Sequence, residues 1–265
     1  MNKSPIEQVL AELEGTDAEP ICQTVGLVRG MMPGLDPSDL RRAIEALCEL
    51  FYVDLADRPD LSPALAAAEE ALVAAGEPTI PILIKLMEGS DIKSHMHLAS
   101  VLGKIGPASL GPLRRVIATA EDPYSRSFAL FAIGKIGSPV VHEALPEVVG
   151  ALMHPDKEVR DSAARTLGKI AEAVPPGLLS ERRRIEMHDA LIRALGDPQP
   201  AVRAKAVRSL GKLASCGHLD PTRRRDLRSR LQALLERGEE TDWDHAFIVR
   251  RQVKEALAHL GDTES

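Results

Sequence analysis

Eight histidines and three cysteines are the side chains best suited to metal or nucleophile chemistry in this 265-residue chain, and their spacing argues against both. His95 and His97 are the closest pair, but an i, i+2 pair on a helix points to two different faces and makes poor ligand geometry. Cys22, Cys48 and Cys216 are odd in number and outside any C-x-x-C spacing, which speaks against a zinc site or a disulfide framework and for a reducing cytoplasm. Cys216 and His218 are only loop neighbours, and no G-x-S-x-G, Walker, G-x-G-x-x-G or H-E-x-x-H pattern occurs. The expectation is no catalytic residue, no metal and no cofactor, although an active site assembled across distant segments stays open.

Binding chemistry is better represented. Lys104, Lys135, Lys169 and Lys212 recur at one register, and Arg165, Arg208 and Lys205 thicken the same stripe. Phe128 and Phe131, two of only four phenylalanines, fall on it as well. Cations beside aromatics make anchors for an acidic partner segment. The alternatives are that the lysines complement helix dipoles and that the phenylalanines pack beneath a neighbouring helix. Two arginine triplets, Arg182, Arg183, Arg184 and Arg223, Arg224, Arg225, open consecutive helices where cations oppose the dipole; they form a possible anion edge or a solvated charged face.

The elements that carry these residues are repeats. SHMHLASVLGKIG at 94–106 returns as SRSFALFAIGKIG at 125–137, VRDSAARTLGKIA at 159–171 and VRAKAVRSLGKLA at 202–214. A degenerate copy lies at 249–261 and a weaker one at 64–76. Helix-start signals in the intervals predict first helices near 77–88, 107–119, 138–153, 179–196 and 221–237. Each unit is then an antiparallel helix pair, and the fold is an all-α solenoid.

Helical periodicity turns His95, Arg126, Arg160, Arg203 and Arg250 toward the core and the lysine stripe away from it. Gly103, Gly134, Gly168 and Gly211 recur inside the helix, which points to close approach of a neighbour. Residues 1–60 lie outside the repeat, carry helical stretches near 5–14, 20–31 and 37–55, and read as an acidic helical cap on a 61–261 array, with 262–265 as a tail.

The motif V-R-x-x-A-x-x-x-L-G-K-I resembles the HEAT-repeat family, most closely the short HEAT-like repeats named after phycobilisome lyases. The resemblance implies that the repeated helix lines a concave surface. It also implies a ladder of turn aspartates and early arginines: Asp122 with Arg126, Asp156 with Arg160, and in part Asp91 with His95. Gln199 stands at the aligned acidic position before Arg203, so an interruption is expected there.

Charge is distributed unevenly. Residues 1–80 hold 5 Lys/Arg against 15 Asp/Glu, whereas 155–237 hold 18 against 11. The N-terminus lacks the pattern of a signal peptide, and no apolar run spans a bilayer. The function expected is a non-enzymatic cytoplasmic scaffold or adaptor whose basic inner surface binds an acidic protein segment. A nucleic-acid binder is the alternative, and a bilin lyase or lyase subunit is a further one implied by the resemblance.

Overall fold

Helix starts are set by short polar side chains, several followed by proline. Asp122 accepts from the Tyr124 and Ser125 amides at 3.2 and 2.7 Å, Asp156 from Glu158 at 2.8 Å and Asp220 from Arg223 at 2.9 Å, which satisfies donors that a first turn leaves open. Pro123, Pro200 and Pro221 take the first helical position, where a missing N–H costs nothing.

The computed structural model describes residues 5–89, 92–236 and 244–260. Helices α1 (Pro5–Ala11), α2 (Ala18–Met31) and α3 (Pro37–Glu49) precede the repeats. The repeated segments form α4 (Ser62–Ala75), α6 (Ile92–Ile105), α8 (Pro123–Ile133), α10 (Lys157–Ala173), α12 (Pro200–Ser215) and α14 (Phe247–Leu260). Between them run the first helices α5 (Ile80–Gly89), α7 (Leu110–Thr119), α9 (Leu145–Ala151), α11 (Glu181–Ala194) and α13 (Pro221–Ala233). There is no strand among the described residues. The architecture is an all-α array of helix pairs, as in solenoid repeat proteins. The expected tail at 262–265 lies outside the described residues.

The chain divides into two compact units, residues 1–116 and 117–265. In the first, α2 and α3 pack on α4, and α4 packs beside α6. Ile21, Val25 and Val28 of α2, with Ile44 and Leu47 of α3, are fully buried there. In the second, α8, α10, α12 and α14 lie side by side, and α9, α11 and α13 each pack on the second helix that follows. Equivalent apolar positions fill this core: Ile133, Leu167 and Leu210 in one column, Ile170 and Leu213 in another, all with no exposed surface.

The G-K-I-G ending contains two glycines with separate jobs. A Cβ at Gly168 would lie 3.0 Å from Ser209 Cβ and 3.1 Å from Lys212 Cδ, and one at Gly211 would lie 3.1 Å from Ala256 Cβ. Neighbouring second helices therefore approach at the first glycine. Gly106 and Gly137, the last glycines of their copies, take φ of 91° and 65°, which L side chains rarely adopt. One expectation needs correction: α8 ends at Ile133, so Lys135 lies in the turn beyond the helix instead of in its last turn. Gly134 serves as its C-cap, and the Lys135 amide donates to Ala132 O at 2.9 Å in a tightened final turn.

The close approach predicts an asymmetry between two glycine-to-alanine changes. The Ser209 hydroxyl beside Gly168 is held by its bond to Ala164 O at 2.7 Å and has little room to move. Gly168→Ala should cost about 1–3 kcal/mol in denaturant unfolding. Gly26→Ala, in α2 with nothing within 4 Å of the added carbon, should gain about 0.5–1 kcal/mol.

Candidate functional site

One arginine per repeat organises the turns of the 117–265 unit. The guanidinium of Arg160 donates to His154 O at 2.9 Å, that of Arg203 to Asp197 O at 2.8 Å, and that of Arg250 to Asp244 O at 2.7 Å. Arg126 makes the same reach, Nε to Ala120 O at 2.6 Å. Arginine thus takes up a carbonyl six residues earlier, in the turn of its own helix pair.

Two of these arginines also reach the next pair. Arg160 forms a two-pronged ion pair with Asp197 (Nε–Oδ2 2.6 Å, Nη2–Oδ1 3.1 Å), and Arg203 does the same with Asp244 (2.6 and 2.9 Å). The ladder exists, but its register differs from the one expected. Asp122 and Asp156 are helix caps, not partners of Arg126 and Arg160, and Asp197 carries the rung where Gln199 seemed to interrupt it. A cap position points its carboxylate at amides of its own helix, whereas the residue two earlier faces the neighbouring pair. The expected Asp91 rung falls outside the described residues; His95 is buried, with Nε2 2.5 Å from Met87 O. At the position equivalent to Asp197 and Asp244 the preceding repeat has His154, and Arg126 has no carboxylate partner among the described residues.

The far sides of α8, α10, α12 and α14 bring several expected residues together. Phe131, half-buried, lies between two cations: Lys135 Nζ is 5.1 Å and the Arg165 guanidinium 4.9 Å from its ring centre. Lys135, Arg165 and Lys169 line an open recess of about 510 Å³ with Glu172. Arg208 and Lys212 line the next, of about 320 Å³, with Glu172 again at its edge. Glu172 pairs with Lys169 at 2.9 Å and with Lys212 at 2.8 Å. Burial pushes its carboxyl up, but the two lysines outweigh this and hold it below the ordinary range. Lys135, Arg165 and Arg208 have no carboxylate partner among the described residues.

Other expected members differ. Lys104 belongs to the 1–116 unit and pairs with Glu69 at 2.5 Å, a carboxylate that also takes His97 Nδ1 at 2.7 Å. Burial opposes ionisation of Glu69, yet hydrogen bonds from His97 and Lys104 bring its carboxyl down to about 2. The Phe51 ring stacks on His97 at 4.9 Å. Phe128 and Lys205 are half-buried on α8 and α12. Among the arginine triplets, Arg183 pairs with Glu186 at 2.8 Å and Arg223 with Asp220, while Arg182 and Arg225 are exposed. Glu69, Glu172 and Asp244 did not stand out in the sequence.

Cys48 is buried, and burial pushes its thiol up to about 12, far from the thiolate needed for reactivity. Among the described residues no three His, Cys, Asp or Glu side chains gather as a metal site, and no helix is long and apolar enough to cross a membrane.

Known repeat proteins share parts of this sequence and its architecture. Residues 110–182 match a model of HEAT repeats, and residues 189–217 match a HEAT-repeat model. The chain carries HEAT repeats. It is 31% identical over 140 residues to the bilin biosynthesis protein PecF of Mastigocladus laminosus, a stretch covering 50% of this chain and 66% of the relative, just under two thirds of that protein's length. In fold it is similar to a chain from the complex of CpcE and CpcF of phycocyanin lyase from Nostoc sp. PCC7120, with TM-score 0.54, 19% identity and coverage of 67% of this chain and 97% of that one. It is also similar to Kap121p bound to Pho4p, with TM-score 0.66, 14% identity and coverage of 96% and 29%. At these identities the solved structures show the fold alone.

The ladder predicts a pH-dependent loss. Burial pushes Asp197 up, but Arg160 and the Gln199 amide outweigh it, so its carboxyl is held below the usual carboxylate range. A lowered carboxyl contributes stability that is present above its unfolded value and lost as pH falls through the folded one. Arg160→Ala should therefore cost about 2–4 kcal/mol at neutral pH and progressively less on acidification through that range. Chemical denaturation of both proteins across pH measures it; a deficit independent of pH would separate Arg160 from Asp197.

Proposed function

We propose that this protein is a non-catalytic interaction scaffold, whose second-helix face in the 117–265 unit binds an acidic protein segment with one apolar anchor. The observation that carries this is the Phe131 ring held between Lys135 and Arg165 at the edge of an open recess. Two cations over a half-buried aromatic ring fit a carboxylate and a neighbouring apolar side chain at once. Arg208 extends the same chemistry into the next recess. Residues 1–60 serve as an end cap in this proposal, with α2 and α3 covering α4. The HEAT-repeat fold supports the reading, because a repeat array offers long, regularly spaced side-chain columns to an extended partner.

Glu172 gives the proposal a specific form. It holds Lys169 and Lys212 as an acidic partner would, so it competes for them. Partner capture from lysate by the tagged protein, followed by binding kinetics with the recovered protein, tests the surface. Charge reversal at Lys135, Arg165 and Arg208 should slow association and flatten its salt dependence, and Phe131→Ala should mainly speed release. Glu172→Gln should strengthen binding several-fold. Unchanged kinetics in the charge-reversed protein would remove this face from consideration.

The likeness to PecF supports a second reading, a subunit of a bilin lyase. A linear tetrapyrrole added to the purified protein should then give a stoichiometric complex with shifted absorption; an unchanged spectrum alongside intact acidic-partner binding favours the scaffold alone.

A further inference from the structure

Two consecutive first helices, α11 and α13, carry cations of a single type. Second helices carry a lysine at the recurring position, whereas every cation of α11 and α13 is an arginine, four in the first and five in the second. Nine arginines there stand against four acids, Glu181, Glu186, Asp189 and Asp226. Helix stability does not account for them. Arg182 to Arg184 and Arg223 to Arg225 lie in first turns, where a cation opposes the dipole, and only Leu227 and Leu231 of α13's 13 residues are buried.

The loops that enter the two helices touch. Pro176, in the loop entering α11, lies 3.7 Å from the position of a Cβ on Gly217, in the loop entering α13. His218 in that second loop is buried against Ala171 O at 3.0 Å. Its ring is held below the ordinary histidine range, first by burial and also by the charge of Arg184. One arginine of each triplet is neutralised, Arg183 by Glu186 and Arg223 by Asp220. Arg182, Arg184, Arg224 and Arg225 have no carboxylate among the described residues. At the fourth helical position of both helices, Arg184 and Arg224 enclose their Nε without a hydrogen-bond partner. Beside Arg224 is a recess of about 460 Å³ with Leu219, Pro221 and Leu260 as an apolar floor and Arg224, Arg225 and Arg228 around it.

We infer that this arginine edge binds the sugar–phosphate backbone of duplex nucleic acid. The guanidinium fork matches phosphate oxygens bidentately where an ammonium offers a point charge, which gives the selection of arginine over lysine a reason. The apolar floor suits a sugar ring between two phosphates. Neither helix contains Phe, Tyr or Trp, and the one imidazole, His188, is buried, so no ring is offered to an unpaired base and recognition is of the backbone, without base readout. This edge belongs to first helices, so the inference stands apart from the acidic-segment surface on the second helices.

Fluorescence anisotropy with labelled DNA and RNA duplexes of about 20 base pairs, titrated across salt, tests it. Wild-type protein should bind at low salt, with log affinity falling linearly with log salt; the two duplexes identify which nucleic acid is preferred. Replacing Arg182, Arg184, Arg224 and Arg225 by Gln should weaken binding more than about tenfold and reduce the slope by up to roughly 0.9 for each lost phosphate contact. The corresponding Lys set, which keeps charge and avoids destabilising losses, should still bind but more weakly than wild type. Arg165→Glu with Arg208→Glu should leave duplex binding largely intact. The inference is overturned if wild type binds neither duplex at low salt, if the Gln set binds as wild type does, or if polyglutamate of matched charge competes as well as the duplex. A Lys set equal to wild type would sink the role of the guanidinium fork.

Discussion

A turn between two antiparallel helices leaves backbone carbonyls without partners at the edge of the array, and in the 117–265 unit one guanidinium per repeat takes them up. Arg126, Arg160, Arg203 and Arg250 all reach the carbonyl six residues before them. Five donors in a fixed plane allow the same group to hold its own turn and, through the other edge of the fork, a carboxylate of the following pair. Arg160 and Arg203 use both edges. Lysine at these positions could not, since a single ammonium lacks two opposed donor pairs. Turn closure and contact between successive pairs thus converge on one side chain.

Close approach of the second helices follows a separate rule. Gly168 and Gly211 remove side chains where α12 and α14 come nearest, and hydroxyls fill part of the interface: Thr166 donates to Leu130 O at 2.8 Å and Ser209 to Ala164 O at 2.7 Å. Neighbouring backbones brought this near place the far-side residues of adjacent repeats within reach of each other. Glu172 can then serve lysines of two helices, and Arg165 can lie over a ring that belongs to α8. The chemistry of the surface is a consequence of the spacing beneath it.

Helices, their order and the repeated core columns were legible in the sequence because 3.6-residue periodicity and caps are local signals. Pairing across repeats was less so. Asp122 and Asp156 sit four residues before their arginines and read as partners, but the geometry of a helix start commits such carboxylates to amides of their own first turn. Asp197 looked displaced by two residues and proved to occupy the bridging position, and Asp244 precedes a copy so degenerate that its turn had no template. The lysine column recurs at one sequence register, although Lys135 falls beyond the end of its helix. The column's charge was not free throughout, because packing brings Glu69 to Lys104 and Glu172 to Lys212 from neighbouring helices. Phe131 is half-buried, with the guanidinium of Arg165 from the neighbouring helix over its ring.

His154 in the bridging position has a consequence for how the 117–265 unit yields under load. In a linear array each joint contributes its own coupling, and cooperativity is only as long as the run of strong joints. The α10/α12 and α12/α14 joints carry charged clamps, whereas the α8/α10 joint relies on the Thr166 bond, the Ser127–Ser162 contact and the Arg165–Phe131 stack. That joint is the one of the three without a charged clamp among the described residues. The recess bounded by Lys135 and Arg165 straddles it, so an anion seated there would act as a splint, and occupancy would be felt as stiffness along the chain.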